Sequence, residues 1–278
     1  MVRDLEEQTV LITGATGGLG RALAERAARW GAQVLLHGRD RDRVEGLCTD
    51  LEARTGNGWL EPVVADLADL REVDELAQEV QRLSETLDVV VNNAGVGFGA
   101  DDSVREVSRD GIELRFAVNY LVHYRLTTQL LDLLRDSAPA RVVNVASAGQ
   151  HAVDFDDPML TQNYTGTRAY ARSKLAQIMF TFDLAEQLDG TAVAVTALHP
   201  ATYMNTAMVR EAGISPLNTV DEGLEPLVRL VSDPGLDGVS GRYFHGSREA
   251  EPLEQARDPQ ARAQLRELSE RLVREALG

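Results

Sequence analysis

Lys174 is the only lysine among 28 basic side chains, and it follows Tyr170 by four residues in the run Tyr170-Ala171-Arg172-Ser173-Lys174. Residues four apart on a helix share a face, so an ammonium there can lie beside the phenol. A free phenol titrates near pH 10, and a neighbouring cation favours its ionised form. The expected chemistry is proton exchange with a bound oxygen at neutral pH. Arginine would suit that task poorly, because its planar fork stays protonated.

A second chemical signal lies near the start. Thr13-Gly14-Ala15-Thr16-Gly17-Gly18-Leu19-Gly20 follows a short apolar run and precedes a helical pattern that continues to Trp30. Glycines between a strand and a helix allow a tight turn and close approach of a pyrophosphate, which the helix amides then bind. The expected cradle comprises Gly14, Thr16, Gly17, Gly18, Leu19 and Gly20. Its spacing is Gly-x-x-x-Gly-x-Gly rather than Gly-x-Gly-x-x-Gly. At the end of the second strand, where an acid would hold a ribose hydroxyl, the chain has Gly38 followed by Arg39. An arginine there accommodates a 2′-phosphate, which favours NADP (NADPH) over NAD. The competing view makes Asp40 a helix cap and Arg39 a solvated charge.

These groups need a frame. Apolar runs at 9–13, 32–37, 59–65, 87–92, 141–146, 191–199 and 239–245 read as strands. Helical patterns fall at 40–55, up to about 85, 104–136 and 168–188, and residues 258–277 read as a charged surface helix. Strands alternating with helices predict βαβ units. Continuously apolar strands predict a parallel sheet covered on both faces. The fold class is therefore α/β: one Rossmann-type, doubly wound parallel sheet over residues 1–278. The stretches 151–167 and 201–218 are long enough to form substrate lids.

The net charge of −16 argues against nucleic acid or an anionic membrane as partner. No apolar run reaches the length of a membrane span, and residues 1–8 are too acidic for a secretory signal. A cytoplasmic protein is expected. Cys48 stands alone, and the five histidines lack metal-ligand spacing, so no metal site is expected.

Thr13-Gly14-x-x-x-Gly18-x-Gly20, Asp66-Leu67, Asn92-Asn93-Ala94-Gly95, Asn119, Ser147, Tyr170-x-x-x-Lys174 and His199-Pro200 together resemble the short-chain dehydrogenase/reductase family over almost the whole chain. The segment from Asp154-Phe155-Asp156-Asp157 to Ala176 looks most like the retinol dehydrogenase and WW-domain oxidoreductase branch.

The resemblance implies catalytic roles for Asn119, Ser147, Tyr170 and Lys174. Ser147 would donate a hydrogen bond to the substrate oxygen, Tyr170 would act as acid/base, and Asn119 would close a proton relay. Lys174 would also hold the nicotinamide ribose. It implies that Asp66 and Leu67 meet the adenine, that Asn93, Ala94 and Gly95 back its ribose, and that Pro200 and Thr202 lie along the nicotinamide. Where the family has Pro-Gly this chain has Pro200-Ala201, and Thr206 is a displaced candidate for the loop threonine.

The expected function is NADP-dependent interconversion of a carbonyl and an alcohol on a small lipophilic substrate, by a homodimer or homotetramer paired through residues 104–136 and 168–188. The alternatives are an epimerase or dehydratase with tightly bound dinucleotide, or a non-catalytic dinucleotide-binding sensor.

Overall fold

The computed structural model describes residues 5–278. Its strands are β1 (Thr9–Ile12), β2 (Gln33–Gly38), β3 (Leu60–Val64), β4 (Val89–Asn92), β5 (Ala140–Val145), β6 (Val193–His199), β7 (Arg242–His245) and β8 (Arg248–Glu249). They form one sheet in the order β3-β2-β1-β4-β5-β6-β7-β8. All neighbours are parallel except the β7–β8 hairpin. Strands β1, β4, β5 and β6 are buried at every position, as continuous apolar runs require. Chain order reverses between β1 and β4, so a crevice opens beyond their carboxyl ends.

Helices cover both faces. On one lie α1 (Gly18–Arg29), α2 (Arg41–Thr55) and α9 (Val220–Ser232), which bury Leu23, Leu51 and Leu227 against the sheet. On the other lie α3 (Leu70–Leu83), α4 (Leu114–Phe116), α5 (Val122–Gln129), α6 (Leu131–Asp136), α7 (Gly166–Gln187) and α10 (Pro259–Leu277). The short α8 (Ala207–Glu211) belongs to neither layer and buries no residue.

Two expectations are corrected, and one helix is new. The helix read over 104–136 starts only at Leu114, because Asp110-Gly111 makes a turn closed by Gly111 N–H to the Ser108 carbonyl, with Gly111 at φ +76°. A π-helical turn at Ala117–Leu121 then separates α4 from α5. Helix α9 was not anticipated, although Thr219 and Glu222 form a reciprocal capping box at its start. The C-terminal helix is no mere surface element. It buries Leu265 and Leu268, each worth about 1.5–3 kcal/mol, and it joins Tyr120 through Ser269 (2.7 Å) and Asp183 through Arg266. The chain's own α10 thus covers part of the surface expected to pair subunits.

Candidate functional site

The glycine turn sits at the carboxyl end of β1. Gly14 adopts φ +66°, and a Cβ on it would stand 2.9 Å from the Ala94 Cα. At Gly20 a Cβ would stand 2.3 Å from the Gly14 carbonyl oxygen. Both positions require glycine, the first also for its left-handed backbone. The turn is braced from three sides. Asn93 Nδ2 donates to the Thr13 and Gly14 carbonyls (2.8 and 3.2 Å), and the Thr13 hydroxyl accepts from the Asn93 and Ala94 amides. Gly14 N–H donates to His37 Nδ1 (3.1 Å), whose other nitrogen meets the Ala65 carbonyl. Burial holds His37 down to about 4, so the ring is neutral and can accept. His37 is a brace that sequence reasoning passed over as merely structural.

The helix start that follows is open. Gly17 caps α1 without a side chain, nothing stands within 4 Å of the Cβ position on Gly17, and no acid occupies the first turn. The first amides are therefore available to an anion. The shape and donor set of this cradle fit a dinucleotide pyrophosphate.

Beyond β5 and on α7 the catalytic candidates converge. The Ser147 hydroxyl lies near the Tyr170 phenol and favours its ionised form. Tyr243 on β7 donates to the Ser147 carbonyl oxygen (3.1 Å), and the Gly149 amide donates to the Ser147 hydroxyl. Phe98 packs edge-on against Tyr170 with ring centroids 4.9 Å apart. Lys174 Nζ stands 5.8 Å from the Tyr170 ring centre, so the two share a helix face as expected.

The electrostatics differ from expectation. Lys174 is buried and donates to the Val145 carbonyl (2.8 Å) and to Gln177 Oε1 (3.1 Å), not to the phenol. Burial pushes this lysine down to about 7. Burial also raises Tyr170, and the nearby Ser147 hydroxyl is what opposes that rise. In the chain alone the phenol is therefore not made acidic: removal from water raises it, and Ser147, not the ammonium, opposes the rise.

Asn119 lies fully buried in the π-helical turn. Its Oδ1 accepts from the Val96 amide (2.7 Å), and its Nδ2 donates to the Val96 carbonyl and the Ser173 hydroxyl. It ties the loop after β4 to α7. Gly95 belongs to the same loop, and a Cβ there would stand 3.1 Å from Asn119 Oδ1 and 3.8 Å from Lys174 Nζ.

The remaining predicted contacts are less concentrated. Asp66 caps its own turn at the Ala68 amide (3.0 Å), beside buried Leu67. Arg39 is exposed, while Asp40 caps α2 through the Arg43 amide. Thr16 packs on Gly38, where a Cβ would stand 2.7 Å from both Thr16 Cγ2 and Val44 Cγ2. Thr202 turns its hydroxyl toward His199 (3.2 Å), near buried Pro200. Thr206 instead reaches the glycine turn, with Cγ2 3.2 Å from the Cβ position of Gly18.

Sequence reasoning also missed the knot behind Phe98. Buried Arg115 donates to the Gly97 and Phe98 carbonyls, to Glu106 (2.7 Å) and to the Tyr164 hydroxyl, which in turn donates to buried Glu113 (3.0 Å). This network locks the loop after β4 to the segment preceding α7.

Comparison with known proteins agrees with this geometry. The family model described as short chain dehydrogenase matches residues 8–215. Human retinol dehydrogenase 14 is 39% identical, over 96% of this chain and 86% of its own length. The zebrafish (Danio rerio) WW domain-containing oxidoreductase is 32% identical, over 98% and 70%. A crystal structure of a Mycobacterium paratuberculosis protein superposes with a TM-score of 0.77 at 29% identity, covering 98% of this chain and 96% of that one. An Escherichia coli CFT073 short-chain dehydrogenase complexed with NADPH gives 0.72 at 27%, covering 87% and 98%. With its Rossmann-type sheet and these relatives, the chain belongs to the short-chain dehydrogenase/reductase family of nicotinamide-dependent oxidoreductases.

Proposed function

We propose that the protein interconverts a carbonyl and an alcohol on a small lipophilic substrate, using NADP in preference to NAD. The observation that carries this reading is the Ser147–Tyr170 hydroxyl pair, with Lys174 one turn behind it and the glycine cradle across the crevice. In the reducing direction Tyr170 donates its proton to the substrate oxygen. Ser147 donates a hydrogen bond to the same oxygen and stabilises the charge that grows there. Tyr243 fixes the Ser147 backbone, so that donor is set before the substrate arrives. Lys174 has two of its three N–H groups committed to Val145 and Gln177, leaving one for the nicotinamide ribose. A dinucleotide held there would supply or accept the hydride, and its oxidised ring, being positive, would favour the phenolate of Tyr170.

The preference for NADP rests on the end of β2. Gly38 has no room for a carboxylate, since even a Cβ there meets Thr16 and Val44 at 2.7 Å. Exposed Arg39 follows it and can pair with a 2′-phosphate. The NADPH complex of the Escherichia coli relative points the same way. In the loop after β6, Thr206 is better placed than Thr202 to meet the dinucleotide, because it faces Gly18. Phe98 packs on Tyr170 and Met208 packs on the adjacent Gly97, and these apolar side chains favour an apolar substrate.

Tyr170→Phe tests the acid/base assignment. Turnover should fall by about 10³-fold, within the range for losing a general acid, while NADPH binding followed by its fluorescence stays within about threefold. Undiminished turnover would remove the proton donor from the scheme.

A further inference from the structure

Lys174 is held inside the protein by uncharged groups alone. Around it, β5 offers the Val145 carbonyl, β4 offers the Asn92 carbonyl one residue further along the network, and α7 offers Gln177. The titratable groups facing it are Tyr170 on its own helix and His123 from α5. Burial alone accounts for the depression of the lysine, and no carboxylate among the described residues offsets it.

Gln177 is fully buried and fixed at both ends. Its Oε1 accepts from Lys174 Nζ at 3.1 Å, and its Nε2 faces the Asn92 carbonyl (3.4 Å) and His123 Nδ1 (3.2 Å). An ammonium can only donate, so the amide must turn its oxygen to Lys174 and its nitrogen to His123. His123 Nδ1 also lies 3.2 Å from the Asn119 carbonyl oxygen, so the ring is held between Asn119 and Gln177. Burial and the neighbouring lysine hold the ring down to about 3, so it is neutral. His123 Nε2 is buried with no protein partner, so nothing else orients the ring from that side.

We infer that Gln177, braced by His123 and Asn92, is a positioning residue for Lys174: it aims the ammonium at the crevice without fixing its charge. A carboxylate at the same place would hold the ammonium equally well but would lock its proton. An apolar side chain would leave a buried N–H with no acceptor. The inference deepens the reaction proposed above and rests on it for its purpose, but not for its test.

The single lysine makes a direct measurement possible. Protein labelled with 13C,15N-lysine has one lysine side-chain resonance to follow through a pH titration. In Q177E the midpoint should rise by about one pH unit or more, because a carboxylate next to the ammonium favours the charged form. In Q177M it should fall by about half a unit, since an acceptor for the charged form is lost. The pH midpoint of turnover should move in the same directions, with Q177N lying between Q177M and the parent. Parent, Q177E and Q177M midpoints coinciding within about 0.2 unit would overturn the assignment. Should Q177M fail to fold, the near-isosteric Q177E against the parent decides alone. If the lysine shifts as expected while the parent turns over no carbonyl or alcohol, the Gln177 role stands and the proposed reaction falls.

Discussion

The two sides of the crevice are built differently. On the sheet side, Thr13, His37, Asn92, Asn93, Asn119, Lys174 and Gln177 join one another or strand-end backbone through hydrogen bonds, and all but Asn93 are buried. On the lid side, α8 buries nothing, Tyr203 is 42% exposed at φ +44°, and the segment is tied chiefly to itself. Leu217 N–H meets the Tyr203 carbonyl and Asn205 N–H the Asn218 carbonyl, while Thr206 and Met208 touch the body at Gly18 and Gly97. A buried polar network tolerates little change, because each lost partner leaves a desolvated group. A segment with few buried contacts opens at low cost and tolerates substitution. Under the proposed function this difference separates reaction from selection: the frame would fix the proton and cofactor chemistry, and the lid would set what enters.

The comparison breaks most visibly at Gly20. Its Cβ position lies 2.3 Å from the Gly14 carbonyl and 2.6 Å from Asn93 Nδ2, both part of the braced turn. Gly20→Ala should cost about 3 kcal/mol or more through overpacking and should abolish NADPH binding. Denaturant unfolding and fluorescence titration measure the two effects. Gly213→Ala, at φ +68° on the lid with open space around it, should weaken neither by more than about 1 kcal/mol. Equal effects at both sites would erase the distinction.

Acid tests the frame, with His199, also held down to about 4 by burial, adding to the same slope. His37 and His123 titrate in the folded chain near 4 and 3, below the ordinary 6.5. Between those values the unfolded chain binds more protons, so stability is full above pH 6.5 and falls as pH drops toward 4. Each ring should cost about 2 kcal/mol by pH 5. The midpoint of denaturant unfolding followed from pH 7.5 to 5 should decline accordingly, and His37→Gln should remove part of the slope. A flat profile would mean that neither imidazole is a neutral brace.

How much of this was legible in the sequence follows the same division. The parallel sheet, the glycine turn and the shared face of Tyr170 and Lys174 follow from strand periodicity and residues close in the chain, whereas Ser147 came only from the family resemblance. The bracing did not show, because Gln177 meets His123 across 54 residues and Gly14 meets His37 across 23. Distance along the chain also hid the electrostatics. A lysine four residues from a tyrosine reads as a charge acting on a phenol, and only the packing around both reveals that burial dominates. Helix 104–136 was overextended because Arg105, Glu106 and Arg109 suit a helix, while Gly111 ends the alternative turn. Helix α9 carried a readable capping box, with Pro226 interrupting the pattern behind it.

The smallest expected effect sharpens the lid side. Met208 projects from α8 onto the loop after β4, where a Cβ on Gly97 would stand 2.8 Å from its Cγ. Phe98, the next residue, packs edge-on against Tyr170. Shortening Met208 removes apolar surface that a bound substrate would touch, while the proton donor and its neighbours stay in place. Met208→Ala should therefore raise KM for a lipophilic ketone by about three- to tenfold, the value of one or two lost apolar contacts, and leave kcat within about twofold. Stability should move by less than about 0.5 kcal/mol, since the side chain is not part of a buried core. A fall in kcat with unchanged KM would show instead that the lid helps to assemble the reacting groups, and the division between the two sides would no longer hold.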